Sequence, residues 1–256
     1  MPGLSNVISR NYSYFLLIVL VFAGAAFFAQ NLEAASFTDS VEVASSAARQ
    51  AIRRGGRRVY VSYETSATIN FQKSSNRGLN WGSAVTVATV GYLPRIIMDN
   101  VLEAYVVYTG IGKTSYYWPW IRKSSGEGAS FSTVMNGYSP PVGATAGLDA
   151  SMQTNIAMAG NYMAVVYEDH HTSDTYRVGL LYSTDGTTWT NDGPIDTAGS
   201  ASHIYPDVAM INNGTSDVAY VVWNDGGKLH FNSGKLGSFV GGGEAENDIG
   251  DNGNQD

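Results

Sequence analysis

The residues best equipped for chemistry in this chain are few and scattered. Glu168, Asp169 and Asp207 are carboxylates of the kind that serve as acid, base or stabilising anion. Arg95 offers a guanidinium fork that clamps a carboxylate in a bidentate way. Asn155 adds an amide that donates and accepts. Tyr117, Trp118 and Trp120, in the run YYWPW (116–120), have flat faces that stack on the apolar side of a sugar ring. His170 stands beside His171, Asp169 and Asp174 and superficially resembles a metal cluster. Adjacent strand residues point to opposite sides, however, and no third His lies nearby in sequence. The sequence therefore places His170 on a hairpin tip facing ligand and expects neither a metal nor a cofactor.

Composition narrows the partners. The net charge of −7 argues against nucleic acid, since phosphate binding needs clustered Lys and Arg. With no Cys there is no disulfide, no Cys-ligated zinc and no thiol nucleophile. The chain is 44% hydrophobic and 14% charged, and it is rich in Gly and Tyr, which favours an all-β protein with a substantial core. Residues 15–29, FLLIVLVFAGAAFFA, form an uncharged run too short for the roughly 20 residues of a spanning helix but suited to a signal peptide. Residues 1–36 are thus expected to be a signal peptide or membrane anchor, with residues 37–256 secreted or otherwise outside the cytoplasm. Membrane contact is expected only through this segment, if uncleaved.

The rest of the chain repeats. Four strands rich in β-branched and aromatic residues recur: VYVSYE (59–64), AYVVYT (104–109), MAVVYED (163–169) and AYVVWND (219–225). Each follows a shorter alternating strand, RQAIRR (49–54), PRIIMDN (94–100), TNIAMAGN (154–161) or PDVAMINN (206–213), through a small polar link that reads as a hairpin. A third strand then ends in a Ser-rich turn closed by an aromatic. The closing residues are Trp81, Phe131, Trp189 and Phe239, spaced by 50, 58 and 50 residues. That period, with three or four short strands per unit, belongs to the blades of a β-propeller.

The turns themselves are SSNRGLNW (74–81), SSGEGASF (124–131), STDGTTW (183–189) and NSGKLGSF (232–239). They resemble Asp-boxes, the S-x-D-x-G-x-T-W hairpins (BNR repeats) of sialidase-like β-propellers. Ser183, Asp185, Gly186, Thr188 and Trp189 match with one residue deleted between Asp and Gly. Ser74, Asn76, Gly78 and Trp81 match with Asn for Asp, and the other two turns are degenerate copies. The physical role expected for the box is local, with Ser and Asp bonding turn amides, Gly taking a left-handed angle and the aromatic wedging between sheets.

The resemblance implies an all-β fold of about four antiparallel blades over residues 37–240, either a four-blade ring or part of a six-bladed one. It leaves 241–256 as an acidic Gly-rich tail or a truncated next blade. For a four-blade ring, SVEVA (40–44) is expected to supply the last blade's outer strand. The boxes mark a lower face. The upper face, where the family binds its ligand, then collects the starts of the inner strands (Gln50, Arg95, Asn155, Asp207) and the second hairpin of each blade (Glu64, 108–120, 168–174, 224–227). Family sialidases use three arginines, a Tyr–Glu nucleophile pair, an Asp acid/base and an R-I-P motif. Here only Pro94-Arg95-Ile96-Ile97 compares, and Arg122 and Arg177 fall on third strands. The Tyr63-Glu64 and Tyr167-Glu168 neighbours face opposite ways. The expected function is recognition of a glycan or glycoprotein without a complete sialidase catalytic set. The alternatives are a glycoside hydrolase acting through Glu168, Asp169 and Asp207, and a protein-binding envelope scaffold.

Overall fold

The computed structural model describes residues 43–44, 47–111, 117–136, 153–172, 175–195, 203–212, 217–225, 228–239 and 247–248. The signal or anchor segment 1–36 lies outside them, as does all of the tail 241–256 except 247–248.

Four antiparallel four-stranded sheets are arranged in a ring, as a four-blade β-propeller. Blade 1 contains β1 (Ala48–Gly55), β2 (Arg58–Thr65), β3 (Thr68–Ser74) and β4 (Val85–Ala88). Blade 2 contains β5 (Tyr92–Met98), β6 (Ala104–Ile111), β7 (Tyr117–Ser125) and β8 (Ser130–Asn136). Blade 3 contains β9 (Thr154–Ala159), β10 (Tyr162–Thr172), β11 (Thr175–Ser183) and β12 (Thr190–Pro194). Blade 4 contains β13 (His203–Asn212), β14 (Asp217–Asp225), β15 (Lys228–Lys235) and β16 (Asn247–Asp248). Each sheet runs in simple up-and-down order.

The second strand of a blade has sheet neighbours on both sides and blades on both faces, so both of its faces must be apolar. The sequence supplies this: every residue of Ala104–Gly110 is buried, as are Met163–Glu168. Three hydrophobic clusters join the blades. Tyr60, Ile69 and Phe71 of blade 1 pack on Ile96, Val106 and Tyr108 of blade 2. Ile97, Tyr105 and Val107 pack on Ile156, Val165 and Leu181 of blade 3. Val166, Val178 and Leu180 pack on Val221, Trp223 and Phe239 of blade 4. Among the described residues no such cluster joins blade 4 to blade 1.

The Ser-rich turns behave as local chemistry requires. In blade 3 the Ser183 Oγ accepts the Gly186 N–H at 2.8 Å, and Asp185 Oδ1 accepts those of Thr187 and Thr188 at 2.7 and 2.6 Å. In blade 1 the Ser74 Oγ accepts the Gly78 N–H at 2.8 Å, and Asn76 Oδ1 accepts that of Asn80 at 2.9 Å. Closing aromatics wedge against the preceding blade: Phe131 meets Phe71 edge-on at 5.1 Å, Trp189 joins the blade 2–3 cluster and Phe239 the blade 3–4 cluster.

One expectation is corrected. The outer strand of blade 4 comes from Asn247–Asp248, paired with His230 and Phe231, and Val43 and Ala44 lie in no strand. Pro119 lies within β7. It pairs with Thr109 of β6 but lies beyond the end of the β8 ladder, which stops at Trp120, so its missing N–H falls on a local edge.

Candidate ligand site on the propeller axis

The innermost strands β1, β5, β9 and β13 bring their upper ends together around one cavity of about 340 Å³. Gln50, Arg53, Arg95, Asn155 and Asp207 give it a polar wall, and Ile96, Ile156 and Val208 an apolar one. Arg95, Asn155 and Asp207, together with Gln50, come from four different blades and meet here. A sequence walk along any single blade would not bring them together; the repeat does, because each begins the same strand.

A backbone device aims three of these side chains. Register shifts occur between Ala48 and Gln50, between Tyr92 and Arg95, and between Ile204 and Asp207. At each shift a non-glycine residue adopts a left-handed angle: Arg49 (φ 47°), Leu93 (φ 53°) and Tyr205 (φ 58°). A β-bulge re-aims the following side chain, here towards the axis. Such angles cost of order 1–3 kcal/mol and persist only where surroundings hold them. Buried carboxylates supply that hold. Glu64 Oε2 accepts the Leu93 N–H at 3.2 Å, and Glu168 Oε1 accepts the Tyr205 N–H at 2.7 Å.

Inside the cavity Asp207 Oδ1 accepts from Asn155 Nδ2 at 2.5 Å and from the Val208 N–H at 2.8 Å. Asn155 Oδ1 in turn accepts the Ile156 N–H at 2.9 Å. The carboxylate and amide are thus fixed in orientation while Asp207 stays exposed. Arg53 Nε donates to the Ile96 carbonyl at 3.1 Å, and Arg95 Nη1 to the Pro94 carbonyl at 3.2 Å. Burial pulls the Arg95 guanidinium pKa down, and the nearby Asp207 charge opposes that shift. Among the described residues neither Arg53 nor Arg95 is ion-paired. The cavity therefore carries two cations, one anchored anion and two amides, groups whose chemistry suits hydrogen bonding to hydroxyls and pairing with an anion.

Other nominated residues lie elsewhere. Glu168 is buried between blades 3 and 4, its second oxygen accepting the Gln153 N–H at 3.2 Å, so both oxygens hold backbone. Burial pushes its carboxyl up and those two N–H groups pull it back. Trp118 is 3% exposed and presents no face to a sugar. Trp120 stacks on Tyr108 at 6.4 Å and lines a separate cavity of about 240 Å³ with Arg122 and Val90. Asp169 and His170 lie on β10 and Tyr117 on β7, and their side chains fall outside the described residues. Sequence reasoning missed Arg53. It lies three residues beyond Gln50 on β1, and only the closeness of β1 to β5 near the axis, seen in its bond to Ile96, reveals it as a wall residue.

No family model matches the chain, and no curated protein matches it. Solved structures do resemble it in fold. A protein of unknown function from Dyadobacter fermentans is 12% identical, with a TM-score of 0.57 over 79% of this chain and 69% of that one. An α-L-arabinanase from Penicillium chrysogenum, complexed with arabinobiose, is 10% identical, with a TM-score of 0.54 over 79% and 66%. The family GH93 α-L-arabinofuranosidase of Fusarium graminearum, also with arabinobiose, is 12% identical, with a TM-score of 0.51 over 80% and 66%. The likeness is one of fold, the β-propeller architecture that these structures share with the chain. The chain spans about two thirds of the length of these structures.

Proposed function

We propose that this is an exported, sialidase-like Asp-box propeller that recognises a glycan through its axial cavity, binding rather than cleaving an acidic sugar. The observation that carries the reading is the convergence of Arg53, Arg95, Asn155 and Asp207 on one cavity of about 340 Å³, within the roughly 300–1,000 Å³ typical of ligand sites. The guanidiniums of Arg53 and Arg95, neither of them ion-paired among the described residues, account for the acid group, and Asn155, Gln50 and Asp207 for hydroxyls. Structural neighbours that carry arabinobiose support a carbohydrate ligand at the level of the fold.

Binding is favoured over hydrolysis by a count of carboxylates. A glycosidase needs two facing the bond, about 5–10 Å apart. Among the described residues Asp207 is the one carboxylate on the cavity wall, and Glu168 spends both oxygens on backbone. A glycan array probed with the full chain is expected to light up on uronate- or sialate-bearing sugars and to go dark in an Arg95→Ala variant that melts normally. Binding only to neutral sugars, or retained binding in that variant, defeats the proposal. Turnover on a chromogenic glycoside panel that Asp207→Asn abolishes instead establishes the hydrolase reading.

A further inference from the structure

Charge is unevenly spread over this chain. The net charge is −7, yet Arg49, Arg53, Arg54, Arg57 and Arg58 crowd into β1 and the hairpin that follows it. Three of them have local partners or a place already described. Arg49 lies 3.6 Å from Glu64, Arg53 lines the axial cavity, and Arg58 Nη1 is 2.6 Å from Glu127. Arg54 and Arg57 remain, and Arg77 joins them from the β3–β4 turn, whose N–H at Arg77 donates to the Arg57 carbonyl at 2.8 Å. That bond stitches the two lower loops of blade 1 side by side. All three side chains are exposed, and Arg54 Nε reaches only the Gly56 carbonyl, at 2.9 Å. Among the described residues none of the three is ion-paired.

The acids nearby are committed. Glu127 is taken by Arg58 and, at 3.6 Å, by Lys73, while Glu103 holds Lys123 at 2.8 Å. Asp99 Oδ1 accepts the N–H groups of Val101 and Glu103 at 3.0 and 2.8 Å. Among the described residues no carboxylate is ion-paired with any of the three arginines. Two large apolar side chains stand on the same face. Leu79, two residues after Arg77, is 62% exposed, and Val101 in the β5–β6 turn is 72% exposed. That turn adjoins the β1–β2 hairpin, since a Cβ built on Gly55 would lie 3.2 Å from Leu102 Cδ2.

Solvent-facing guanidiniums flanked by aliphatic tips match a lipid interface, where cations meet headgroups and apolar side chains enter the boundary below them. A single-stranded nucleic acid would call for fully exposed aromatic rings beside the cations; the ring of these loops, Trp81, is half-buried, and the exposed side chains beside the cations are Leu79 and Val101. The sequence adds a reason for proximity. The apolar run 15–29 is separated from β1 by 18 residues (30–47), so when uncleaved it tethers blade 1 within about 60 Å of a bilayer. We propose that the lower face of blade 1, centred on Arg54, Arg57 and Arg77 with Leu79 and Val101, docks on an anionic lipid surface.

The test is hydrogen–deuterium exchange of the full chain on vesicles of phosphatidylcholine, with or without phosphatidylglycerol. Insertion of the apolar run acts on both vesicle types and cancels. Exchange in 53–58 and 75–80 is expected to slow at least about threefold on anionic vesicles alone, and the slowing to vanish in high salt, as screening requires. Joint substitution Arg54→Glu, Arg57→Glu and Arg77→Glu removes the protection, and Leu79→Ser with Val101→Ser weakens it. Should the charge-reversed chain melt early, the salt titration of the unaltered chain decides in its place. Equal exchange on the two vesicle types overturns the proposal. So does protection that survives charge reversal in a folded variant, or protection given by soluble polygalacturonate or single-stranded DNA and not by anionic vesicles.

Discussion

Glu168 in blade 3 holds the backbone N–H of Tyr205 in blade 4 at 2.7 Å. Glu64 holds Leu93 the same way from blade 1 to blade 2. Both recipients are left-handed residues at a bulge, and both stand two residues ahead of an axial side chain, Asp207 and Arg95. A buried carboxylate thus sets the aim of a site residue it never touches. Replacing Glu168 by Gln leaves one acceptor for two N–H donors, at a cost of about 1–3 kcal/mol for the donor left over. The expected result is a lower melting temperature together with weaker glycan binding, measured by calorimetry and by the array.

The pH dependence of that residue has a definite sign. Burial is the larger influence and raises the Glu168 pKa above its ordinary 4.5. The folded chain then holds this proton more tightly than the unfolded chain. Stability attributable to Glu168 therefore increases as pH falls through the raised value towards 4.5. The melting temperature of the native chain should therefore pull further above that of Glu168→Gln, which cannot titrate there, as pH falls through that window, and the gap should level off below 4.5. Curves that run parallel refute the assignment.

Asp185 titrates in the opposite sense. The N–H groups of Thr188 and Thr187, then the Thr188 hydroxyl, hold its carboxyl well below the ordinary 3.8. Its contribution is present above that value and lost as pH falls below it. Asp185→Ala should lower the melting temperature at neutral pH, with the difference shrinking in strong acid. Asp185→Asn should do less harm, since Asn76 performs the same acceptor role in blade 1.

Gly128 is a sharper test of blade packing. It has φ +90°, and a Cβ there would lie 2.1 Å from the Phe71 ring of the preceding blade. Gly128→Ala combines a left-handed penalty with overpacking, together about 2–5 kcal/mol. Gly56, at φ +63° with open space around it, is the control; its alanine variant meets the backbone penalty alone, about 1–2 kcal/mol.

Trp118 and Trp120 separate packing from recognition. Trp118→Ala should cost about 3–5 kcal/mol in the denaturant midpoint, as a buried aromatic does. Glycan binding by the fraction still folded should be unchanged, because the buried indole lies away from the axial cavity. Loss of binding in folded Trp118→Ala protein would return the ligand to the YYWPW segment.

Much of this was legible in the sequence where the cause is local. The hairpins, the strand periods and the bonds of the Ser-rich turns are each encoded within about ten residues, and the repeat alone aligned Gln50, Arg95, Asn155 and Asp207. What was not legible depends on the neighbouring blade. Glu168 reads as a catalytic acid by type and spacing until Tyr205 is seen to claim it. Trp118 reads as a sugar platform until the packing around it closes. Arg53 looks like an ordinary strand residue until β5 approaches it.

Among the described residues the three interblade clusters leave the seam between blades 4 and 1 without its own. A necklace opens at its clasp. Amide protons of β1, β14 and β15 should therefore trade with solvent before those of β6 and β10. Breathing of this kind would widen the central well by parting its first and last walls.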